Sequence, residues 1–417
     1  MRVLVRNSST NNRRHGRATP LLLICLFVML PMGALAIETA RMRLARLELQ
    51  STVDACSLGA VQELIDDRRL ADEEAVRPEL LKRTRETSVR FAELNPVGSR
   101  PIQTTGKTGG EPAFEVLTGT YSRADRRFVA TTTARSRSNP ETRTLNAVRV
   151  IARQSMRRGK GNQATASMLT FDVFNVAAQS TAALDHRVIG FRPTGAQTVP
   201  VIPIAIRSGR PETDTWCWQS QRGGRRCESV DYPVHVGGVD RVAWDAAKKT
   251  FSSGSDGIPE VLVEFERNAA LLLCRADSVD QVLVQIAGGL SPEDLSVDGG
   301  ALQVGQQLPA LMMTGDAGRA VSSRLAGPLN AVRDLREPRI WPLFKQTGGR
   351  RGEVRIVDFV AARIVTVIQG GKQSPVSVLL QPCMMCEPTA LVDLDGNPSL
   401  MKDLAFNPYI CKVRLVD

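Results

Sequence analysis

Cys383 and Cys386 stand two residues apart, the spacing shared by thiol redox sites and by half of a zinc site. A tetrahedral zinc site needs further ligands; Cys411 supplies one, and no histidine is near in sequence. In an oxidising compartment the same residues serve as cross-links, so Cys383, Cys386 and Cys411 are disulfide candidates first, with metal and redox readings beside that one. Cys217 and Cys227 flank WQSQRGGRR, and the Gly223-Gly224 turn signal predicts a hairpin whose ends are stapled by a Cys217–Cys227 bond. Trp216 and Trp218 beside it either cover a small core or form a binding tip.

Histidine is the favoured base near neutral pH, and His186 and His235 are the two that lie beyond the N-terminal apolar run. No G-x-S-x-G elbow accompanies them, and both read as structural. Gly106-Lys107-Thr108 resembles the end of a phosphate loop, but Pro101 occupies the first glycine position and offers no N–H, which predicts an ordinary loop. Asp393-Leu394-Asp395-Gly396-Asn397 alternates oxygen-bearing side chains as a calcium loop does; its glycine comes too early and Leu404 fills the last ligand position, so a tight turn is expected. These residues predict no catalytic, cofactor or metal site.

The elements that would position them follow from composition. A chain of 417 residues, 42% hydrophobic and 23% charged, buries a sizeable core in two or three units and is not disordered. The formal charge of +11 is scattered in doublets such as Arg157-Arg158, Arg225-Arg226 and Arg350-Arg351, without interleaved aromatics, which reads as solvated surface and not as a nucleic-acid site. Downstream, Val, Ile, Leu and Phe alternate with polar residues, the pattern of short strands joined by turns.

The run PLLLICLFVMLPMGALAI, Pro20 to Ile37, is uncharged and long enough to cross a hydrocarbon core about 30 Å thick as a helix. Pro20, Leu21, Leu22, Leu23, Ile24, Leu26, Phe27, Val28, Leu30, Leu35 and Ile37 are its anchor residues. Arg2, Arg6, Arg13, Arg14 and Arg17 precede it without an acidic residue, a bias that keeps the N-terminus cytoplasmic and exports the rest. Pro31 and Ala34-Leu35-Ala36 also fit a signal peptide cleaved after Ala36; against cleavage, strong helix formers continue without a break beyond Ile37. In that continuation Met42, Leu49, Val53, Cys56, Ala60 and Leu64 recur at helical spacing on one stripe. The stripe packs either on the chain's own ectodomain or on a partner subunit's helix.

With Gly16 before the apolar run, Glu38 at its exit and LQSTVDACSLGA at residues 49–60, this segment resembles the N-terminal module of TadE/TadG-like Flp pilus-assembly proteins, whose members carry an LQ-x-AxDAAALAAA run. Weaker local likenesses follow in order: Val199 to Ile204, Gln285 to Leu290, Met313 to Gly318, Arg339 to Phe344 and the strand-like Val354 to Ile368. Two family features are missing. Leu21 stands where a prepilin carries glutamate, and no Asp-x-Ser-x-Ser string of a von Willebrand A metal site occurs. The resemblance implies a structural component of a pilus or secretion apparatus in the bacterial cytoplasmic membrane, acting through protein contacts of the N-terminal helix, with no cofactor and no small-molecule substrate. An exported envelope protein with a thiol-redox or hydrolytic ectodomain is the alternative.

The expected fold class is α+β, a long membrane-anchored helix followed by a mainly antiparallel β ectodomain. Residues 1–19 form a basic leader, 20–37 the membrane helix and 38–92 an amphipathic helical stalk. The first β-rich region spans 93–208, the second, with the cysteine hairpin, 209–327, and a C-terminal β region 328–417.

Overall fold

The computed structural model describes residues 18–97, 101–108, 111–123, 125–131, 145–157, 173–208, 240–274, 278–296, 299–346, 352–369, 376–393 and 407–416. The Cys217–Cys227 hairpin, Trp216, Trp218, His235, residues 1–17 and residues 394–397 of the calcium-like run lie outside them.

Two helices open the chain. α1 (Ala18–Gln62) runs 45 residues unbroken through Pro31, and α2 (Arg69–Leu94) folds back along its second half. Within α2 the backbone leaves helical geometry at Asp72 (φ −150°, ψ 100°), whose carboxylate accepts from the N–H groups of Glu74 and Ala75, capping the turn that follows.

Most of the strands fall into two large sheets, beside one small three-stranded sheet and two short hairpins. Phe114–Ser122 (β1), Arg127–Ala130 (β2), Ala147–Arg157 (β3) and Val173–Asp185 (β4) build most of the first. The second takes Ile204–Arg207 (β5), Val261–Glu264 (β6), Ala269–Leu272 (β7), Gln307–Met312 (β8), Arg339–Gln346 (β9), Glu353–Ile368 (β10) and Ser377–Pro382 (β11). The chain then returns to the first sheet with Met385–Cys386 (β12) and Ile410–Leu415 (β13).

The first sheet runs β12-β13-β4-β3-β1-β2, antiparallel except for the β12–β13 pair. The second runs β6-β11-β10-β8-β7-β5-β9, and β9 pairs again with β10, so five of its strands close into a ring. Closure is possible because β10 is long enough to carry β8 and β9 on opposite edges, with Arg355 aligned to Gln307 on one and Lys345 on the other. Trp341, Phe344 and Phe359 fill this second core, and Phe191 meets Phe359 edge-on at 4.9 Å. α3 (Val279–Gly288) and α4 (Gly315–Leu335) pack on it. α3 ends at Gly289 (φ 82°), where a Cβ would sit 2.3 Å from the Val199 carbonyl, so only glycine permits that approach. The fold is α+β: a long apolar N-terminal helix followed by a strand-rich, largely antiparallel region.

Candidate functional site: the N-terminal helix and its seat

Among the described residues, nothing packs on the first half of α1. Leu22, Leu23, Ile24, Leu26, Phe27, Val28, Leu30, Leu35 and Ile37 are all exposed, Phe27 at 71%. Pro20 and Leu21 lie on the same helix. A helix apolar on every side and bare of packing does not suit water; its length and composition make it a candidate membrane span.

The second half has a seat. Ala45, Leu49, Val53, Cys56, Ala60 and Leu64 step by three or four residues and are all buried, against Val148, Val150 and Ala152 of β3 and Val176, Ala178, Ala182 and Leu184 of β4. Those strand residues are alternate positions of one sheet face. The stripe seen in the sequence is thus covered by the chain's own sheet, and Met42, one turn beyond its edge, is 38% exposed. Small residues let the elements approach: Ala60, Ala178 and Ala182 share the buried cluster, and a Cβ on Gly59 would meet the Phe91 ring of α2 at 2.4 Å. Polar groups fix the register. Gln50 Nε2 donates to the Gln179 carbonyl at 3.1 Å, Thr52 Oγ1 donates to the Asn95 carbonyl at 3.2 Å, and the Ser57 and Ser180 hydroxyls meet at 3.0 Å.

The turn between α1 and α2 ties this unit to the second sheet. Asp67 Oδ2 accepts from Arg363 of β10 at 2.5 Å, and its Oδ1 accepts from the Met384 N–H at 2.6 Å. Burial outweighs the Arg363 charge and holds the Asp67 carboxyl above its ordinary range. The Arg363 guanidinium lies 4.3 Å over the Trp244 ring. Arg69, also buried, donates to the carbonyls of Leu64 and Leu145 and pairs with Glu73 at 3.2 Å.

Residues 16–63 match the family model of Flp pilus-assembly TadE/G-like proteins, the Tad family. The matched stretch is α1 together with the start of its turn, so it takes in both the exposed half and the seated half. No curated protein and no solved structure matches the chain.

Outside the Tad-matched helix, the residues that drew attention in the sequence are dispersed. His186 is buried, and because Nδ1 faces the Asn407 carbonyl at 2.9 Å it carries the proton there. Burial first, then the nearby Arg69 charge, push its pKa down to about 4. Lys107 and Thr108 pair with Glu111 and Pro112 in a minimal hairpin. Asp393, the first residue of the calcium-like run, is buried at the end of a short strand. Cys25, Cys56, Cys383, Cys386 and Cys411 are thiols, and Cys274 is buried in the second core. Among the described residues no three His, Cys, Asp or Glu side chains gather as a metal group would require.

Two positions escaped the sequence reading. Asp358 is buried and its pKa is pushed up to about 7 by desolvation, against the pull of hydrogen bonds from the Phe359 N–H and Asn407 Nδ2. Asn407 joins the two sheets: Nδ2 donates to the Phe359 carbonyl at 2.7 Å, while its Oδ1 accepts from Tyr409 and Ile410 N–H at the start of β13. Neither sits in a periodic pattern, so spacing carried no signal for them.

Proposed function

We propose that the protein is a membrane-anchored structural component of a Flp/Tad-type pilus or secretion apparatus, working through protein contacts and carrying out no reaction. Its N-terminus lies in the cytoplasm of a bacterium, α1 crosses the cytoplasmic membrane once, and the sheets stand on the exported side. The observation that carries the reading is the continuity of α1. One helix of 45 residues, about 67 Å long, holds a bare apolar half and a half locked into the ectodomain core, and the Tad-family match spans both. A rigid junction of this kind transmits position from the bilayer to the sheets. With the stripe already covered, the surfaces left for other subunits are the membrane half of α1 and the outer faces of the ectodomain.

The test exchanges residues 1–37 for a cleavable signal peptide in the host bacterium. We expect a soluble, folded, exported ectodomain and no assembled apparatus. Normal assembly from the released ectodomain would refute the anchor as the working part. Protease added to spheroplasts checks direction: the sheets should be digested without lysis, and an ectodomain protected until lysis would reverse the topology.

A further inference from the structure

The Cys383-Met384-Met385-Cys386 run does not stay together. Cys383 ends β11, where its N–H donates to the Ala361 carbonyl of β10 at 3.0 Å, inside the second sheet. Cys386 lies in β12, an edge strand of the first sheet. There it aligns directly with Cys411 of β13 in a parallel register, with Met385 opposite Ile410. Backbone bonds bracket the pair on both sides: the Met385 N–H donates to the Tyr409 carbonyl at 2.8 Å, and the Glu387 N–H to the Cys411 carbonyl at 3.0 Å. Aligned neighbours in a sheet lie about 4.8 Å apart, within the Cα separation that a disulfide spans. The Cys411 thiol donates to the Met385 carbonyl at 3.5 Å, on the strand that carries Cys386, whereas Cys383 lies among the charges of Arg363 and Asp67.

We propose that Cys386 and Cys411 are a disulfide-forming pair that staples the C-terminal strand β13 to the end of the β11–β12 segment. Formation in the cell rests on the export reading above; the pairing itself rests on the register alone. The reaction is exchange with an incoming disulfide, small or protein-borne. Cys386 is half-exposed where Cys411 is buried, and the neighbouring Cys411 thiol draws its pKa down to about 7, so its thiolate is the attacking sulfur. It attacks one sulfur of the incoming disulfide and expels the other as a thiolate, leaving a mixed disulfide on Cys386. Buried Cys411 then gives up its proton, its thiolate attacks the Cys386 sulfur, and the second sulfur of the reagent leaves. The pair loses two electrons and two protons; the reagent ends as two thiols. Cys383 takes no part, since burial pushes its thiol up to about 12.

The full-length chain, purified in detergent and titrated with glutathione disulfide, should yield a Cys386–Cys411 linked peptide on non-reducing mapping, with Cys383 alkylated once the protein is denatured. The link should persist in Cys383→Ser. Reduction should lower the unfolding temperature of the wild type by about 5–10 °C and leave Cys386→Ser unmoved. Cys386 and Cys411 that stay unlinked after oxidation, or a link of either to Cys383 or Cys56, overturns the pairing. Protein alkylated at the moment of lysis separates the two readings. The link present in cells supports both; thiols in cells with ready closure in vitro leave the pairing standing and count against export.

Discussion

The two halves of α1 share one backbone and differ in what surrounds them. Between Leu22 and Ile37 apolar side chains point in every direction and none is covered by the described residues. Between Ala45 and Leu64 the buried apolar residues form a stripe, and that stripe is covered by β3, β4, β13 and α2. An all-round apolar helix is at home in hydrocarbon, and a striped one at the boundary of a core and water. The same local propensity therefore serves two solvents, and the change from one pattern to the other, near Glu38, marks where the ectodomain begins to act on the helix.

A matched pair of charges should separate the halves most strongly. Val53→Asp places a carboxylate in the seat, where burial without a partner costs several kcal/mol, so the ectodomain should fail to fold and be degraded. Val28→Asp charges the exposed half; insertion becomes less favourable by about 3 kcal/mol, while denaturant unfolding of the ectodomain should keep its midpoint. Membrane fractionation and unfolding curves read both. A Val53→Asp ectodomain as stable as wild type would mean that the seat contributes little.

The turn after the seated half is the next lever. Arg363→Ala strands the buried Asp67 carboxylate and removes the cation over Trp244, with an expected loss of about 3 to 5 kcal/mol. Asp67→Asn with Arg363→Met should recover most of it, because the pair is costly to desolvate and its rupture does the harm. Equal losses in single and double variants would make Asp67 a bystander.

Stability against pH probes the junction around Asn407 from two sides. The Asp358 pKa is about 7 in the folded protein against an ordinary value of 3.8, so between these pH values the folded state holds a proton that the unfolded state has released, and stability falls as pH rises. His186 is displaced the other way, from 6.5 to about 4, so there the unfolded state binds the extra proton and stability rises with pH. The two slopes oppose each other between about pH 4 and 6.5 and mask one another. Asp358→Asn should lift stability relative to wild type progressively from pH 4 to 7, by about 3 kcal/mol over the window. His186→Gln should shift the difference the opposite way. Parallel curves for wild type and both variants would place neither group in this balance.

Much of the helical part was readable because its signals are local. The apolar run, the helix formers after Ile37 and the three-and-four spacing from Leu49 to Leu64 describe α1, and the helical stalk expected to run to Ala92 takes in α2, which ends at Leu94. The strand-like stretch Val354 to Ile368 lies within β10. What covers the stripe was not readable, since β4 and β13 reach it from more than a hundred residues away and no periodicity names a distant partner. The CMMC spacing misled for the same reason: it is a local pattern, while the two sheets that separate Cys383 from Cys386 are set by long-range pairing.

The smallest effect is the most specific test of the seat. Ser57 Oγ has one proton and two acceptors within reach, the Asp54 carbonyl one turn back and Ser180 Oγ, both at 3.0 Å; with the proton given to Asp54, Ser180 donates to Ser57. The two substitutions are then unequal. Ser57→Ala removes the acceptor and leaves the buried Ser180 hydroxyl without it, at a cost of about 1 to 2 kcal/mol. Ser180→Ala leaves Ser57 its bond to Asp54 and should cost less, about 0.5 kcal/mol. In the double variant no hydroxyl is stranded, so its loss should fall below the sum of the singles by about 1 kcal/mol in a double-mutant cycle. Additive losses would show that the two hydroxyls do not interact, and a costlier Ser180→Ala would reverse the direction of the bond between helix and sheet.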